Sequence, residues 1–168
     1  LEPTRHVTVR RNTVYMADNG VYGLAMGHET WPDNYECVAQ AEESVAVHNT
    51  FVVNGERYSS LFMCARDIAW KNNIFVQEGA DEANFHDVYQ LSIMADGLEL
   101  DGNLYFTNSE AQRYMYPPDE KYASLAEWQI GTKQDRHGLF ADPELIDPAN
   151  GDFSVALRSP VADAGAPL

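Results

Sequence analysis

A phrase that recurs four times constrains the fold of this chain more than any other feature of its sequence. Its clearest copy runs from Ser44 to Gly55, where alternating apolar residues lead to an Asn, a bulky β-forming pair follows, and an Asn-Gly turn ends the phrase. Aligning the copies places one Asn at the same point in each: Asn12, Asn49, Asn73 and Asn103. The intervals of 37, 24 and 30 residues lie in the range of roughly 20 to 50 residues that is typical of solenoid repeats.

Each copy contains short β segments that are too small to bury a face of their own. Stacking such units buries a continuous core, whereas a β-sandwich would show evenly spaced hairpins without an Asn in phase. The sequence therefore predicts an all-β solenoid of about four to five coils, in which the recurring Asn side chains stack as a ladder. In the copy around Asn49, we predict that Val45 and Val47 point into the core.

The chain changes character after Pro118. Residues 122–129 have helical spacing, with Ser124 as the predicted N-cap and Leu125 and Trp128 on one face. Because the last coil of a solenoid exposes an edge and an open core, we expect this tail to cover it with four apolar side chains, Trp128, Leu139, Phe140 and Phe153. The prediction is a single domain, 1–168, with coils in 1–118 and a helix and capping segment in 119–168.

The tail from about residue 122 to 166 contains a set of Trp, Gly, Asp, His, Pro, Phe and Ser residues at defined spacings. These are Trp128, Gly131, Asp135, His137, Asp142, Pro143, Gly151, Asp152, Phe153, Ser159, Pro160, Asp163 and Gly165. In this pattern the tail resembles the C-terminal signature of right-handed parallel β-helix proteins of the pectin-lyase-like superfamily, from which it departs at Gly138, where a Ser often follows the His. The resemblance implies a right-handed parallel β-helix and a relation to bacterial polysaccharide lyases and glycoside hydrolases, but the same ending occurs in enzymes of differing chemistry.

The charge and the composition of the chain limit the classes of partner that it could bind. Eleven Lys and Arg against 26 Asp and Glu give a net charge of -15, which disfavours nucleic acid and anionic membranes. One interpretation of this charge is that it keeps a secreted bacterial protein soluble. The alternative is that some of the acidic residues form a specific cation site. No apolar run is long enough to span a membrane. The two cysteines, Cys37 and Cys64, are compatible with a disulfide or with free thiols, and we expect a secreted or periplasmic protein.

The chain begins inside its own first coil, since Val7 already belongs to a repeat strand. We therefore expect a fragment of a longer β-helix, whose open N-terminal edge is covered by missing N-terminal chain or by a second subunit.

Active sites on β-helices of this superfamily lie on the face of one sheet, flanked by loops. The resemblance therefore directs attention to the strand ends and to the insertions at 27–44 and 77–88. The candidate catalytic residues there are His28, Arg66, Asp67, His86 and Asp96. No catalytic motif of polygalacturonases or pectate lyases matches, and His137 belongs to the tail motif, so we predict a structural role for it.

Asp67 and Asp96 are predicted to occupy comparable positions in adjacent coils, which would place their carboxylates about 5 to 10 Å apart. Such a pair can act as acid and base in glycoside hydrolysis, or can bind Ca²⁺ together with Asp87. The alternative is that both are corner residues that accept backbone hydrogen bonds. A lyase would instead need Arg or Ca²⁺ to neutralise the carboxylate of a sugar and a base to abstract a proton.

Aromatic rings stack on the apolar faces of pyranoses, so exposed aromatic residues are candidates for sugar binding. Trp31, Tyr35 and Tyr89 are the predicted substrate-binding residues, with Tyr58, Tyr114 and Tyr116 as further candidates. The sequence thus predicts a polysaccharide lyase or a glycoside hydrolase. The alternative is a non-catalytic glycan-binding or structural solenoid segment.

Overall fold

The structure is a computed structural model, which describes residues 4–16, 22–27, 41–55, 58–63, 65–79, 81–89, 97–116, 120–162 and 164–166. For residues 22–27, 58–63, 84, 86–89 and 115–116 it describes the backbone alone. The described residues are mostly β, and they contain one α-helix.

Three sheets of five strands each account for most of the structure. Sheet A contains β1 (Thr4–Arg5), β2 (Thr8–Arg10), β5 (Ala41–Val47), β8 (Ala65–Lys71) and β11 (Glu99–Asp101). Sheet B contains β3 (Thr13–Met16), β6 (Thr50–Asn54), β9 (Ile74–Glu78), β12 (Leu104–Thr107) and β15 (Leu139–Phe140). Sheet C contains β4 (Tyr22–Gly27), β7 (Tyr58–Met63), β10 (Glu82–Tyr89), β13 (Ala111–Tyr116) and β14 (Glu120–Tyr122).

The chain visits the three sheets in a fixed order. A strand of sheet A is followed by one of sheet B and one of sheet C, and this passage, which we call a coil, occurs four times. Strands of successive coils pair in parallel, and only β14 adds to its sheet antiparallel. The prediction of an all-β chain of stacked parallel strands is confirmed, and the arrangement is compatible with a parallel β-helix.

Aromatic side chains fill the space between the sheets. Phe51, Phe75 and Tyr105 come from paired positions of sheet B, and their rings stack with centroids 5.3 and 5.4 Å apart. Trp70 of sheet A is fully buried against the same stack. The sheets therefore share one core, which Phe85 and Tyr114 extend towards sheet C.

The prediction that Val45 and Val47 point into the core is wrong. Both are half-buried, whereas Ser44 and Ala46 are buried. Ala46 lies between Val9 and Trp70 in the register of sheet A, so a small residue there leaves room for the indole ring. Hydrophobicity alone favoured the two valines.

The predicted Asn ladder is confirmed. The Oδ1 atoms of Asn49, Asn73 and Asn103 each accept hydrogen bonds from the backbone N and from Nδ2 of the Asn in the preceding coil, at 3.0 or 3.1 Å. Asp135 takes the place of a fifth Asn, and its Oδ1 accepts from the backbone N and Nδ2 of Asn103. Asn49, Asn73, Asn103 and Asp135 are fully buried, so the ladder satisfies polar groups that water does not reach.

The residue before each ladder Asn adopts a left-handed backbone conformation. These residues are Arg11, His48, Asn72 and Gly102, with φ of 55°, 54°, 57° and 66°. Gly102 has a second constraint, because a Cβ atom there would clash with Oδ1 of Asn72 and the backbone N of Ala166. The corner between sheets A and B is thus the same tight turn in every coil.

The tail closes the last coil with helix α1 (Leu125–Thr132). Ser124 accepts a hydrogen bond from the backbone N of Glu127, and Leu125 and Trp128 are buried, so the predicted N-cap and the buried face are both confirmed. The side-chain amide of Gln134 binds Leu98 O and Leu100 N along the edge of β11, as a neighbouring strand would. Leu139 and Phe140 cover the edge of β12 as predicted, and the ring of Phe140 meets that of Phe85 with centroids 6.3 Å apart, but the two residues stay 38% and 42% exposed.

A hairpin covers the outer face of sheet B. It consists of β16 (Leu145–Asp147), a 3-10 turn (Pro148–Asn150) and β17 (Asp152–Val155). Partly buried side chains of the tail, including Phe153, pack on Val52, Val76 and their apolar neighbours in sheet B. The chain thereby covers this face of the stack with its own tail.

Candidate functional site

Two of the predicted site residues, Arg66 and Asp67, lie near the start of β8 in sheet A. Glu42 of the preceding coil is 4% exposed and joins Arg66 to Arg5 of the first coil. One carboxylate oxygen lies 2.6 Å from Nη2 of Arg66 and the other 2.9 Å from Nη2 of Arg5. Both arginines remain about half exposed, so Glu42 fixes two guanidinium groups at the surface.

The predicted equivalence of Asp67 and Asp96 is wrong by one residue. The pairing of Ala69 with Glu99 places Gly97 beside Asp67, and Oδ1 of Asp67 lies against the position that a Cβ atom of Gly97 would occupy. Both residues have positive φ, 53° and 73°, as have His6 and Glu43 in the earlier coils. Asp67 is therefore part of a recurring bend in sheet A. Asp96 lies outside the described residues.

A second column of charge lies on the outer face of sheet A, nearer the Asn corner. Arg10, Val47, Lys71 and Asp101 are paired in successive coils, two residues before each ladder Asn. They alternate with Val9, Ala46, Trp70 and Leu100, which face the core, so the column faces outwards. Nζ of Lys71 lies 2.6 Å from the carboxylate of Glu99.

Asp101 and His137 form a carboxylate–imidazole pair at the end of this column. Nδ1 of His137 lies 2.9 Å from Oδ2 of Asp101, whose Oδ1 also accepts hydrogen bonds from the backbone N of His137 and of Gly102. Partial burial raises the pKa of Asp101, but these hydrogen bonds outweigh it and hold the pKa below its ordinary value. His137 is 59% exposed, so the carboxylate orients a ring that solvent reaches.

Six of the 11 basic residues of the chain gather on this surface. Four of them lie on the strands of sheet A. The other two, Lys133 and Arg136, line a groove of about 190 Å³ at the end of sheet A, together with Glu99 and Asp101. We call this surface the basic face and define it by Arg5, Arg10, Arg66, Lys71, Lys133 and Arg136. Among the described residues, five acidic ones lie with them, Glu42, Glu43, Asp67, Glu99 and Asp101, so the balance differs from that of the chain, where acidic residues outnumber basic ones more than twofold.

Other predicted site residues lie on sheet C or outside the described residues. His86, Asp87 and Tyr89 follow one another along β10, beside Ser60, Leu61 and Met63 of β7. The backbone thus places them on a different sheet from Arg66 and Asp67, and their side chains are not described. The same holds for Tyr58 and Tyr116, whereas His28, Trp31 and Tyr35 lie outside the described residues altogether. Tyr114 is fully buried, so it cannot face a sugar.

The predicted Ca²⁺ ligands do not form a described set. Among the described side chains, no group of three His, Cys, Asp or Glu residues could hold a metal ion. The side chains of Asp87 and Asp96 are not described, and the remaining predicted ligand, Asp67, has its Oδ2 3.9 Å from Nε of Arg66. The Ca²⁺ site therefore stays a prediction.

Sequence reasoning missed Arg5, Arg10, Glu42, Glu99, Asp101 and Lys133, although a signal for several of them was present. Counting seven residues back from each ladder Asn gives Arg5, Glu42, Arg66 and Asp96, which alternate in charge. Counting two residues back gives the column from Arg10 to Asp101. The spacing of the ladder Asn residues also predicts these columns. Residues that pair in neighbouring parallel strands lie the same number of positions before the Asn of their own coil.

Two further cavities adjoin the tail and sheet B. The larger, of about 450 Å³, lies beside Ala164, Gly165 and Ala166 at the Asn corner, where the side chain of Asn72 binds Ala166 N and O at 2.7 and 3.0 Å. The smaller, of about 230 Å³, lies between the hairpin and Val52, Val76 and Phe106. Both cavities are bounded by the tail of the chain itself.

Comparison of the chain with protein-family models, with curated proteins and with solved structures gave no match. In the part of the chain that the structure describes, no helix has the length and apolarity needed to cross a membrane.

Proposed function

We propose that this chain is a part of a right-handed parallel β-helix protein of the pectin-lyase-like superfamily, secreted or periplasmic, which binds an acidic polysaccharide on its basic face. The fold assignment is supported by the repeated passage through three parallel sheets, by the Asn ladder, and by the resemblance of the tail. Fold alone does not identify a ligand, so the proposal depends on the surface chemistry.

The concentration of basic residues on one face is the observation that supports an acidic polysaccharide as the ligand. In a chain with a net charge of -15, a surface whose described residues include six basic and five acidic ones repels an anion less than the chain does on average. Carboxylates of uronic acids are the anionic groups common to acidic polysaccharides, and a planar guanidinium group binds a carboxylate with two parallel hydrogen bonds.

Preorganisation supports the same assignment. Glu42 is held by Arg5 and Arg66 from opposite sides, which fixes both guanidinium groups before a ligand arrives and reduces the entropy that binding would cost. Each guanidinium carries five N–H donors, and the contacts to Glu42 use one nitrogen of each. Donors therefore remain for a ligand on the exposed side.

A titration with oligogalacturonate and with a neutral glucan oligosaccharide of the same length tests the proposal. We expect binding of the acidic oligosaccharide only, weakening with added salt, and lost in the double variant Arg10→Ala/Arg66→Ala. Lys121→Ala is the matched control, because Lys121 is exposed on β14 of sheet C and its loss removes a positive charge elsewhere. Equal binding of both oligosaccharides, or equal weakening by the control, would count against the basic face.

A second candidate function, polysaccharide lyase, is favoured by the pair formed by Asp101 and His137. A carboxylate that holds Nδ1 leaves Nε2 of the ring free to accept a proton, and arginines on the same face would neutralise the carboxylate of the sugar. Unsaturated products from an acidic polysaccharide, absent with His137→Gln, would establish this activity. New reducing ends without unsaturation would indicate a glycoside hydrolase, and repeating the assay with Ca²⁺ and with a chelator tests the predicted cation requirement.

A further inference from the structure

The basic residues of sheet A recur in every second coil. In the column nearer the Asn corner, Arg10 of the first coil and Lys71 of the third are separated by Val47 of the second. In the column nearer the strand starts, Arg5 and Arg66 of the same two coils are separated by Glu42. The cation is thus absent from the second coil in both columns, at positions fixed by the pairing of the strands.

This alternation sets a distance between cations. Neighbouring strands in a sheet lie about 4.8 Å apart, so paired residues two coils apart are separated by about 9.6 Å. The rise of one sugar in an extended pyranose chain, whether its linkages are all 1,4 or alternate between 1,3 and 1,4, is close to one strand spacing. A glycan that runs across the strands, along the direction of stacking, would therefore place one sugar over each coil.

From this spacing we propose that the basic face binds a polysaccharide in which a uronate alternates with a neutral sugar. The inference rests on the proposed binding of an acidic polysaccharide and adds its repeat and its direction across the strands. Uronate carboxylates lie over the first and third coils, where Arg5, Arg10 and Arg66 meet them, and the neutral sugar lies over the second coil. Lys71, whose side chain is 16% exposed and whose Nζ lies 2.6 Å from Glu99, adds its charge to the third coil.

The residues of the second coil explain why a carboxylate is disfavoured there. Val47 is half-buried and offers no hydrogen-bond donor from its side chain, so a carboxylate above it would lose water without gaining a partner. Glu42 is a buried carboxylate that would repel a second one, and it acts as a positioning residue for the arginines on either side. A neutral pyranose carries an apolar face that can lie on Val47.

Three hexasaccharides test the proposal by calorimetric titration of the full chain. In a hyaluronan hexasaccharide glucuronate alternates with N-acetylglucosamine, hexagalacturonate carries a carboxylate on each sugar, and cellohexaose carries none. We expect the hyaluronan fragment to bind up to about fivefold more tightly than hexagalacturonate, the factor that corresponds to one exposed ion pair gained or lost. Equal binding, or tighter binding of hexagalacturonate, would overturn the alternation while leaving acidic polysaccharide binding in place. Failure of both acidic ligands to bind would overturn the proposed function itself.

The variant Val47→Lys supplies the missing cation of the second coil. We expect it to improve the binding of hexagalacturonate about fivefold relative to the hyaluronan fragment. Ala126→Lys is the matched control, because Ala126 is exposed on α1 and the added charge is the same. An equal gain for the control would attribute the preference to net charge and overturn the alternation. Because Val47 is half-buried, Arg10→Ala provides a second arm that removes no apolar packing, and it should weaken the hyaluronan fragment about fivefold.

Discussion

Replacing Asp135 with Asn tests how the ladder ends. Asp135 is fully buried; its Oδ1 accepts two hydrogen bonds from Asn103, and its Oδ2 accepts one from the hydroxyl of Tyr105 at 2.5 Å. Burial raises the pKa of Tyr105 well above its ordinary value, so this hydroxyl stays a donor. Asn has the same shape as Asp and keeps the acceptor for Asn103, while its Nδ2 can donate to the hydroxyl of Tyr105.

The expected effect on stability depends on pH. Burial raises the pKa of Asp135 from 3.8 to about 7, although hydrogen bonds from Tyr105 and Asn103 lower it. Between these values the unfolded chain has released the proton while the folded protein holds it, so the free energy of unfolding falls as pH rises. The contribution is complete below pH 3.8 and lost by about pH 7. A shift of about three pKa units corresponds to about 4 kcal/mol.

Urea denaturation followed by Trp fluorescence measures this effect, because Trp70 and Trp128 are fully buried. The free energy of unfolding of Asp135→Asn minus that of the parent chain should rise by about 4 kcal/mol between about pH 4 and about pH 8. Taking the difference removes the titration of the other acidic residues, which the two proteins share. Asp81→Asn, at an exposed position, is the matched control and should show no such change.

A difference that stays constant with pH would refute the reasoning. It would mean that Asp135 ionises near its ordinary pKa, and that three hydrogen-bond donors outweigh the cost of burying the charge. A large loss of stability in Asp135→Asn at every pH would refute a different step, because it would show that the hydroxyl of Tyr105 cannot accept from Nδ2. The carbon chemical shift of the Asp135 carboxyl, followed by NMR, separates these two outcomes.

Two further substitutions test the corner between sheets A and B. Asn73→Ala leaves four buried groups of Asn49, Asn103 and Ala46 without their ladder partner, and should lower the free energy of unfolding by about 3 kcal/mol or more, whereas the exposed Asn108→Ala should have little effect. Gly102→Ala introduces a Cβ atom that clashes with Asn72 and Ala166, and should cost more than the roughly 1 to 3 kcal/mol of left-handed backbone strain alone. Gly151→Ala measures that strain by itself, because its φ is 86° and its surroundings are open; an equal loss in both variants would contradict the clash.

The fold was predictable to the extent that one polar residue recurs in phase. A buried Asn at the same corner of each coil needs a partner above and below, so its spacing marks the repeat even where insertions differ in length. The direction of individual side chains was less predictable. Val45 and Val47 are more apolar than Ser44 and Ala46, but the volume of Trp70 in the next coil decides which of them the core can hold.

The candidate site was less predictable for a related reason. Asp67 and Asp96 look alike in sequence because each stands at a turn, yet Gly97 lies beside Asp67. The ion pairs of Glu42 with Arg5 and Arg66 join residues 37 and 24 positions apart, and they become visible only when the strands are in register. Candidates chosen one at a time by residue type miss such columns, whereas candidates chosen by their offset from the ladder Asn include them.

The ladder also has a direction, and this explains why its two ends differ. From one rung to the next, Nδ2 of every Asn donates to Oδ1 of the ladder residue in the following coil, while Nδ2 of Asn49, Asn73 and Asn103 also donates to a backbone carbonyl of the preceding coil. The last rung therefore needs an acceptor for Asn103, which Oδ1 of Asp135 provides, while Oδ2 of Asp135 accepts from the hydroxyl of Tyr105. At the first rung, Oδ1 of Asn12 has no donor among the described residues, and β2, β3 and β4 lie at the outer edges of their sheets. Coverage of this edge by further chain or by a second subunit stays a prediction, but its chemistry follows from the ladder. A parallel coil with an amide donor at its corner would complete the stack, whereas an antiparallel strand would not bring such a corner over Asn12.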